Sequence, residues 1–196
     1  MNIINYLFIS KVRIEILKLY FMHKDVKYHI REVTRITAQE LNAVRRELIR
    51  LSEIALLIVE KKGNRVYYSL NNEFVFYKEI ESIMYKCYGL GGAIIDAKDA
   101  LGVVDHAFLL ESYINRTKVD AHELDLVLVG NLDLGRIENI IQKIQKEEGR
   151  EINYTVLQKN DFDLRVKRKD SMTWDWIVGR KIEMIGSLEK LVKSFG

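Results

Sequence analysis

Between Leu41 and Leu70 the apolar residues change period. Leu41, Val44, Leu48 and Leu51 recur every three or four residues, which puts them on one face of a helix ending near Glu53. Two short runs rich in branched and aromatic residues follow, Leu56 to Lys61 and Arg65 to Leu70, with Lys62-Gly63-Asn64 as turn material between them. A helix that feeds directly into a hairpin confines this part of the chain to a small module of mixed helix and strand. Upstream, Ser10 to His23 carries Val12, Ile16, Leu19 and Tyr20 on an apolar stripe, with Lys11, Arg13, Glu15 and Lys18 between them. Ile30 to Ile36 reads as a shorter helix with Val33 and Ile36 inward. Thr37-Ala38-Gln39-Glu40 matches a capping box, with threonine at the N-cap and glutamate three residues on.

The 196 residues are 48% hydrophobic and 30% charged, a globular balance that excludes a disordered tail and a collagen-like fibre. No apolar run approaches the ~18–20 residues of a membrane span. The first residues carry no basic leader ahead of their apolar stretch, so no secretory signal is expected. Cys87 is the single cysteine, which leaves no intrachain disulfide and no cysteine-cluster zinc site and favours a reducing cytoplasm. Charge is uneven along the chain. Residues 1–72 hold 13 basic and 7 acidic side chains, and the remainder holds 18 basic and 21 acidic. The excess suits a basic module that meets a polyanion, joined to a module with another task.

The stretch REVTRITAQELNAVRRELIRLSEIALLIVEKKGNRVYYSL resembles the winged helix-turn-helix of small prokaryotic repressors of the ArsR-like kind. The resemblance implies that the helix beginning near Leu41 enters the major groove. Its non-core face carries Asn42, Arg45, Arg46 and Arg50, preceded by Gln39. Arginine matches a guanine edge and asparagine an adenine edge, because each offers paired hydrogen bonds in one plane. Arg50, further along, suits phosphate, as do Lys61, Lys62 and Arg65 around the hairpin tip. The plain alternative is a solvated helix face in which Glu47 pairs with Arg46 or Arg50.

Phe74 to Cys87 reads as a further helix with Phe74, Tyr77, Ile80, Ile83, Met84 and Cys87 as its apolar stripe. Tyr88-Gly89-Leu90-Gly91-Gly92 interrupts it as a joint, and a helix from Ala93 to about Leu101 follows. Beyond this, strands fit His106–Leu110, Leu124–Val129 and Ile152–Leu157, with a helix at Asp133–Glu148. The division expected is a DNA-binding domain at 1–72, a helical linker at 73–102 and an α/β domain at 103–196, an α+β fold overall. On a strand, Glu123 and Asp125 project to one face and Leu124, Leu126 and Leu128 to the other. Adjacent carboxylates on a buried strand ask for a cation, so Glu123 and Asp125 form the candidate metal pair. His122 points away from them. Trp174 and Trp176 offer either a stacking pair or one core and one partner-facing ring, and Lys167, Arg168 and Lys169 read as a solvated run.

FLLESYINRTKVDAHELDLVLVG resembles the signature of minimal nucleotidyltransferases of the DNA polymerase beta superfamily. GREINYTVL is similar to that family's third-strand region and GRKIEMIG to its closing segment. The resemblance implies a Gly-Ser turn at the nucleotide phosphates, an Asp-x-Asp pair holding magnesium, and a third carboxylate on a neighbouring strand. This chain departs from that pattern at most of these points. Glu111 replaces the glycine, Ser112 is kept, Glu123 replaces the first aspartate and Asp125 is kept. Asn153 falls on the third carboxylate, with Glu151 on the same face as a substitute anion, and Asn115-Arg116 replaces Arg-Gly. Arg116 or Lys118 is placed to pair with Glu111. A glutamate at the glycine position brings bulk and negative charge to the phosphate site. Ser112, Glu123 and Asp125 therefore read as vestigial, with no catalytic residue and no cofactor expected.

The function expected is a cytoplasmic, sequence-specific DNA-binding transcriptional regulator acting on double-stranded DNA as a homodimer. The helix at Ser10–His23 and the helix at Phe74–Cys87 are the candidate dimer elements. The second domain then serves sensing, partner binding or dimerisation. The alternative is a magnesium-dependent nucleotidyltransferase, antitoxin-like, that uses magnesium and a nucleotide to modify a protein or small molecule. A small helical toxin-like protein is the partner that alternative implies.

Overall fold

The Ser10 hydroxyl accepts the Arg13 N–H at 3.2 Å and so satisfies a donor that the first turn of a helix leaves open. The computed structural model describes residues 4–116 and 123–195. The chain is α+β and divides into two compact units, Met1–Cys87 and Tyr88–Gly196. The first comprises α1 (Ile4–Leu7), α2 (Lys11–Met22), β1 (Tyr28–His29), α3 (Ile30–Thr37), α4 (Leu41–Glu53), β2 (Leu57–Lys62), β3 (Arg65–Leu70) and α5 (Tyr77–Cys87). Its sheet has the order β1-β3-β2 and is antiparallel throughout. The two-residue strand β1 had no signature in the sequence.

Helix α2 buries Ile14, Ile16, Leu17, Leu19, Tyr20, Phe21 and Met22, far more than one stripe, and is the centre of its unit. Its apolar side chains are spent inside the unit. In α4, Val44, Leu48 and Leu51 are buried as expected, joined by Glu47. Leu41 is 37% exposed, because the first turn of a helix has no preceding turn to cover it. Ile36, expected inward, is 47% exposed, and Thr37 takes the buried position. Helix α5 starts at Tyr77 and buries Tyr77, Glu81, Met84 and Tyr85; Lys24 meets the Glu81 carboxylate at 2.6 Å.

The expected capping box is corrected. Thr37 is the last residue of α3, and its hydroxyl donates back to the Val33 carbonyl at 2.7 Å. Ala38 then turns left-handed at φ 51°, so Glu40 is itself the N-cap of α4. Its two carboxylate oxygens accept the Asn42 and Ala43 N–H groups, each at 2.8 Å. A capping box does form one helix earlier: the His29 ring nitrogen accepts the Arg31 N–H and Glu32 accepts the His29 N–H.

The second unit comprises α6 (Gly89–Asp96), a short 3-10 turn at Lys98–Ala100, β4 (Gly102–Leu110), α7 (Glu111–Asn115), β5 (Leu126–Leu132) and α8 (Leu134–Glu148). It continues through β6 (Tyr154–Leu157), α9 (Lys159–Lys167), α10 (Ser171–Val178), β7 (Lys181–Ile185) and α11 (Leu188–Lys193). The stretch expected as a joint at 88–92 is mostly the start of α6, with Leu90, Gly91 and Gly92 buried. Residues 73–102 are therefore shared between the two units, α5 in one and α6 in the other. The sheet runs β6-β5-β4-β7, with β5 and β6 parallel and the other pairs antiparallel. Val127 and Val129 of β5 pack with Phe108, Leu110, Phe162, Val166 and Leu188. Each such side chain contributes ~1.5–3 kcal/mol of burial. Among the described residues, no helix is long and apolar enough to cross a membrane.

A bulge between Val104 and His106 turns the His106 ring into the interior of the unit, 8% exposed and 5.8 Å from the Phe162 ring. Its Nδ1 has no hydrogen-bond partner among the described residues. Burial first, then the Lys159 ammonium, holds this imidazole below the usual histidine range, against the carboxylates of Asp105, Asp163 and Glu183. The folded chain thus binds a proton here less readily than the unfolded chain. Stability is full above the ordinary histidine pKa of ~6.5 and falls as pH drops through it toward the folded value. We expect His106→Gln to flatten the decline in unfolding free energy as pH falls below about 6.5. An unchanged slope in a urea-unfolding series would contradict the assignment.

Candidate functional site

Helix α4 presents Asn42, Arg45, Arg46 and Arg50 on its exposed side, opposite the buried Val44, Leu48 and Leu51. Glu47 faces inward and accepts Arg13 Nε at 2.8 Å and Arg50 Nη1 at 3.0 Å. Arg50 is therefore tethered, while among the described residues no ion pair engages Arg45 or Arg46. The solvated-face alternative holds in part, since Glu47 pairs with Arg50 and with Arg13. Gln39 lies in the α3–α4 turn, where its amide donates to the Thr37 carbonyl at 3.2 Å. The Glu40 carboxylate occupies the first donors of α4, and those hydrogen bonds hold its pKa below the usual glutamate range. With the Asn42 and Ala43 donors taken by an internal anion, the face that α4 turns outward is made chiefly of side chains.

The β2–β3 hairpin ends in Gly63 and Asn64, with Lys62 already paired to Arg65 in the ladder. Gly63 has φ 59°, the positive value that the first loop residue of a type II′ turn requires. Lys61, Lys62 and Arg65 are all exposed around this tip. On the same hairpin Glu60 pairs with Lys27, so its charge is compensated.

In the second unit, β4 delivers the chain to Glu111 at the start of α7. The Ser112 hydroxyl donates to the Leu124 carbonyl at 2.6 Å, and Asn115 Nδ2 donates to Glu111 at 3.0 Å. Arg180 Nη1 donates to Asn115 Oδ1 at 2.7 Å. A cavity of about 350 Å³ opens here, lined by Glu111, Ser112, Glu123, Asp175, Trp176 and Arg180 among others. Three carboxylates against one guanidinium leave it net negative, which disfavours a triphosphate.

The expected carboxylate pair is corrected. Strand β5 begins at Leu126, so Glu123 and Asp125 precede it. Leu126, Val127, Leu128 and Val129 are all fully buried, so β5 has no polar face for a carboxylate to share. Glu123 lines the cavity, and its carbonyl accepts Asn153 Nδ2 at 3.0 Å. Asp125 is fully buried instead, its Oδ2 accepting the Asn153 N–H at 3.0 Å. Arg150 Nη2 stands 3.5 Å from Asp125 Oδ1, and Arg150 Nε stands 3.4 Å from Glu148 Oε2. Arg116 pairs with Glu148 at 3.6 Å, not with Glu111. Glu151 is exposed. Lys118 and His122 lie outside the described residues.

Among the described residues, no group of three or more His, Cys, Asp or Glu side chains could hold a metal. The magnesium implied by the nucleotidyltransferase resemblance does not fit, because Asp125 is already committed to the Asn153 N–H and a guanidinium.

The residues that sequence reasoning missed are Arg150, Glu148, Tyr113, Asp175 and Arg180. Tyr113 donates to Glu148 Oε1 at 2.6 Å and accepts the Leu90 N–H at 3.1 Å. Burial, and then the Glu148 carboxylate, pushes its hydroxyl well above the usual tyrosine range. Of the two tryptophans, Trp176 lines the cavity and Trp174 lies beneath the Lys169 ammonium at 5.4 Å. Both are half-buried, while Lys167, Arg168 and Lys169 are exposed.

No family model matches the sequence, and no curated protein matches it. Among solved structures, a likeness is found to human N-acetylserotonin methyltransferase in complex with SAM. It has 16% identity and a TM-score of 0.31 over 63% of this chain. The match spans 37% of that protein's chain, and at this TM-score it carries no argument.

Proposed function

We propose that the chain is a sequence-specific DNA-binding transcriptional regulator whose second unit is a nucleotidyltransferase-like domain without transferase activity. The observation that carries the reading is the exposed Asn42, Arg45 and Arg46 on α4, set against a buried Val44, Leu48 and Leu51. The element order α2, α3, α4 and the β2–β3 hairpin, with Lys61, Lys62 and Arg65 around the hairpin tip, supports a winged helix-turn-helix reading. In such a fold Asn42, Arg45 and Arg46 read base edges and the wing cations meet phosphate. Arg50, held by Glu47, serves phosphate only. A homodimer reaching two half-sites gives the specificity that a single small module lacks. Ile9, Val75 and Phe76 are among the exposed apolar residues flanking α2 and α5 that could join two copies.

Inactivity of the second unit is supported by the net-negative cavity and by the engagement of Asp125 with Arg150. Its role is then to sense a ligand or hold a partner. Two measurements test the reading. Selection of bound duplexes by the full chain from a randomised pool is expected to enrich a common motif; a pool that stays random contradicts DNA reading. Calorimetric titration with magnesium and ATP, GTP, CTP or UTP in turn is expected to give no heat. Magnesium-dependent binding of any of them would favour a working nucleotidyltransferase instead.

A further inference from the structure

Arg150 in the second unit has two carboxylates within reach of one guanidinium. Asp125 is fully buried, and the Glu148 side chain is 11% exposed. Arg150 itself is 19% exposed, with its guanidinium 4.4 Å above the Tyr113 ring. An unpaired carboxylate at such depth is strongly disfavoured, and Arg150 is the cation that stands beside both. We propose that Arg150 is the built-in cation of this unit, taking against Asp125 the place that a divalent ion would take in a metal-using form of the fold. The inference rests on the nucleotidyltransferase-like reading of the unit.

The geometry is that of a charge more than of a hydrogen-bonding fork. Arginine ordinarily meets a carboxylate through paired short N–H···O bonds. Here Arg150 Nη2 to Asp125 Oδ1 is 3.5 Å and Arg150 Nε to Glu148 Oε2 is 3.4 Å. None of those four atoms makes a hydrogen bond within the described residues. The contacts are longer than such bonds, and the guanidinium answers two carboxylates at once. The other side of each carboxylate is fixed: Asn153 N–H holds Asp125 Oδ2, and the Tyr113 hydroxyl holds Glu148 Oε1. Asp125 therefore cannot swing toward a cavity ion without abandoning a backbone donor. A divalent ion arriving at Asp125 would meet the guanidinium's like charge at close range.

The test is thermal unfolding of the full chain with magnesium or with chelator. The unchanged chain is expected to show the same midpoint in both. Arg150→Ala is expected to lower the midpoint by roughly 10–20 °C. Millimolar magnesium should restore part of that loss, and Arg150→Ala combined with Asp125→Asn should respond to magnesium no longer. If Arg150→Ala does not fold, Arg150→Gln keeps much of the stem over Tyr113 and carries the same comparison. A midpoint of the unchanged chain that rises with magnesium and is flattened by Asp125→Asn would overturn the proposal while favouring the nucleotidyltransferase reading. An Arg150 variant with no magnesium response would overturn the proposal alone, since nucleotide titration tests that reading separately.

Discussion

Replacing Arg45 and Arg46 together with alanine is expected to weaken binding to a selected duplex by roughly two to four orders of magnitude. Each base-reading arginine contributes about 1–3 kcal/mol, and every 1.4 kcal/mol is about tenfold in affinity. Both side chains are exposed on α4, and the core positions Val44, Leu48 and Leu51 lie on the opposite side, so the substitutions leave packing intact. Alanine is also a better helix former than arginine, so loss of the helix is not a competing cause. Circular dichroism of the variant should match that of the unchanged chain. Arg50→Ala makes a contrasting control. Its guanidinium is held by Glu47 at 3.0 Å, so its removal should lower affinity alike for all sequences, as loss of a phosphate contact does. A double variant that binds as tightly as the unchanged chain would move recognition off α4 altogether.

Gly130→Ala is expected to have the largest effect on folding. Gly130 lies in β5 opposite Val104, where the β4 ladder is about to bulge, and its φ is 147°. A Cβ there would overlap the Val103 carbonyl oxygen and crowd the Asp105 nitrogen at 3.2 Å. Both obstacles are backbone atoms of the neighbouring strand, so no side chain can rotate aside. The left-handed strain and the overlap together cost roughly 3–5 kcal/mol. That is a large share of the ~5–15 kcal/mol that holds a domain folded. The β4–β5 pair is the middle of the four-stranded sheet, so the loss should melt the second unit as a whole. Denaturant unfolding of the purified variant checks this; a midpoint equal to that of the unchanged chain would mean the bulge relaxes freely.

The helix at 41–53 and the hairpin behind it were legible because their apolar period changes within a few residues, and local pattern suffices for that. The boundary at Thr37–Glu40 was misread because a threonine three residues before a glutamate fits two arrangements. The left-handed Ala38 selects the second, in which Glu40 is the cap. Strand alternation put Glu123 and Asp125 on one polar face, yet β5 is covered on both sides and starts one residue after Asp125. The helices α9 and α10 are short and carry weak periodicity, so neither was read from the pattern. Arg150 left no trace in sequence, because it answers a carboxylate twenty-five positions upstream, across the whole of β5 and α8. Long-range ion pairs of this kind are set by tertiary placement, which local periodicity does not encode.

We propose that the arginine face of α4 and the basic hairpin tip hold duplex DNA, a contact made largely of charge. Its most direct test is the affinity of the full chain for a duplex measured across a range of salt concentrations. Log K is expected to fall linearly with log salt, with a slope of about −0.9 for each phosphate neutralised. Removing Lys61, Lys62 and Arg65 should make the slope shallower by about one for each cation that meets a phosphate. Absence of binding at low salt, or an affinity indifferent to salt, would contradict it.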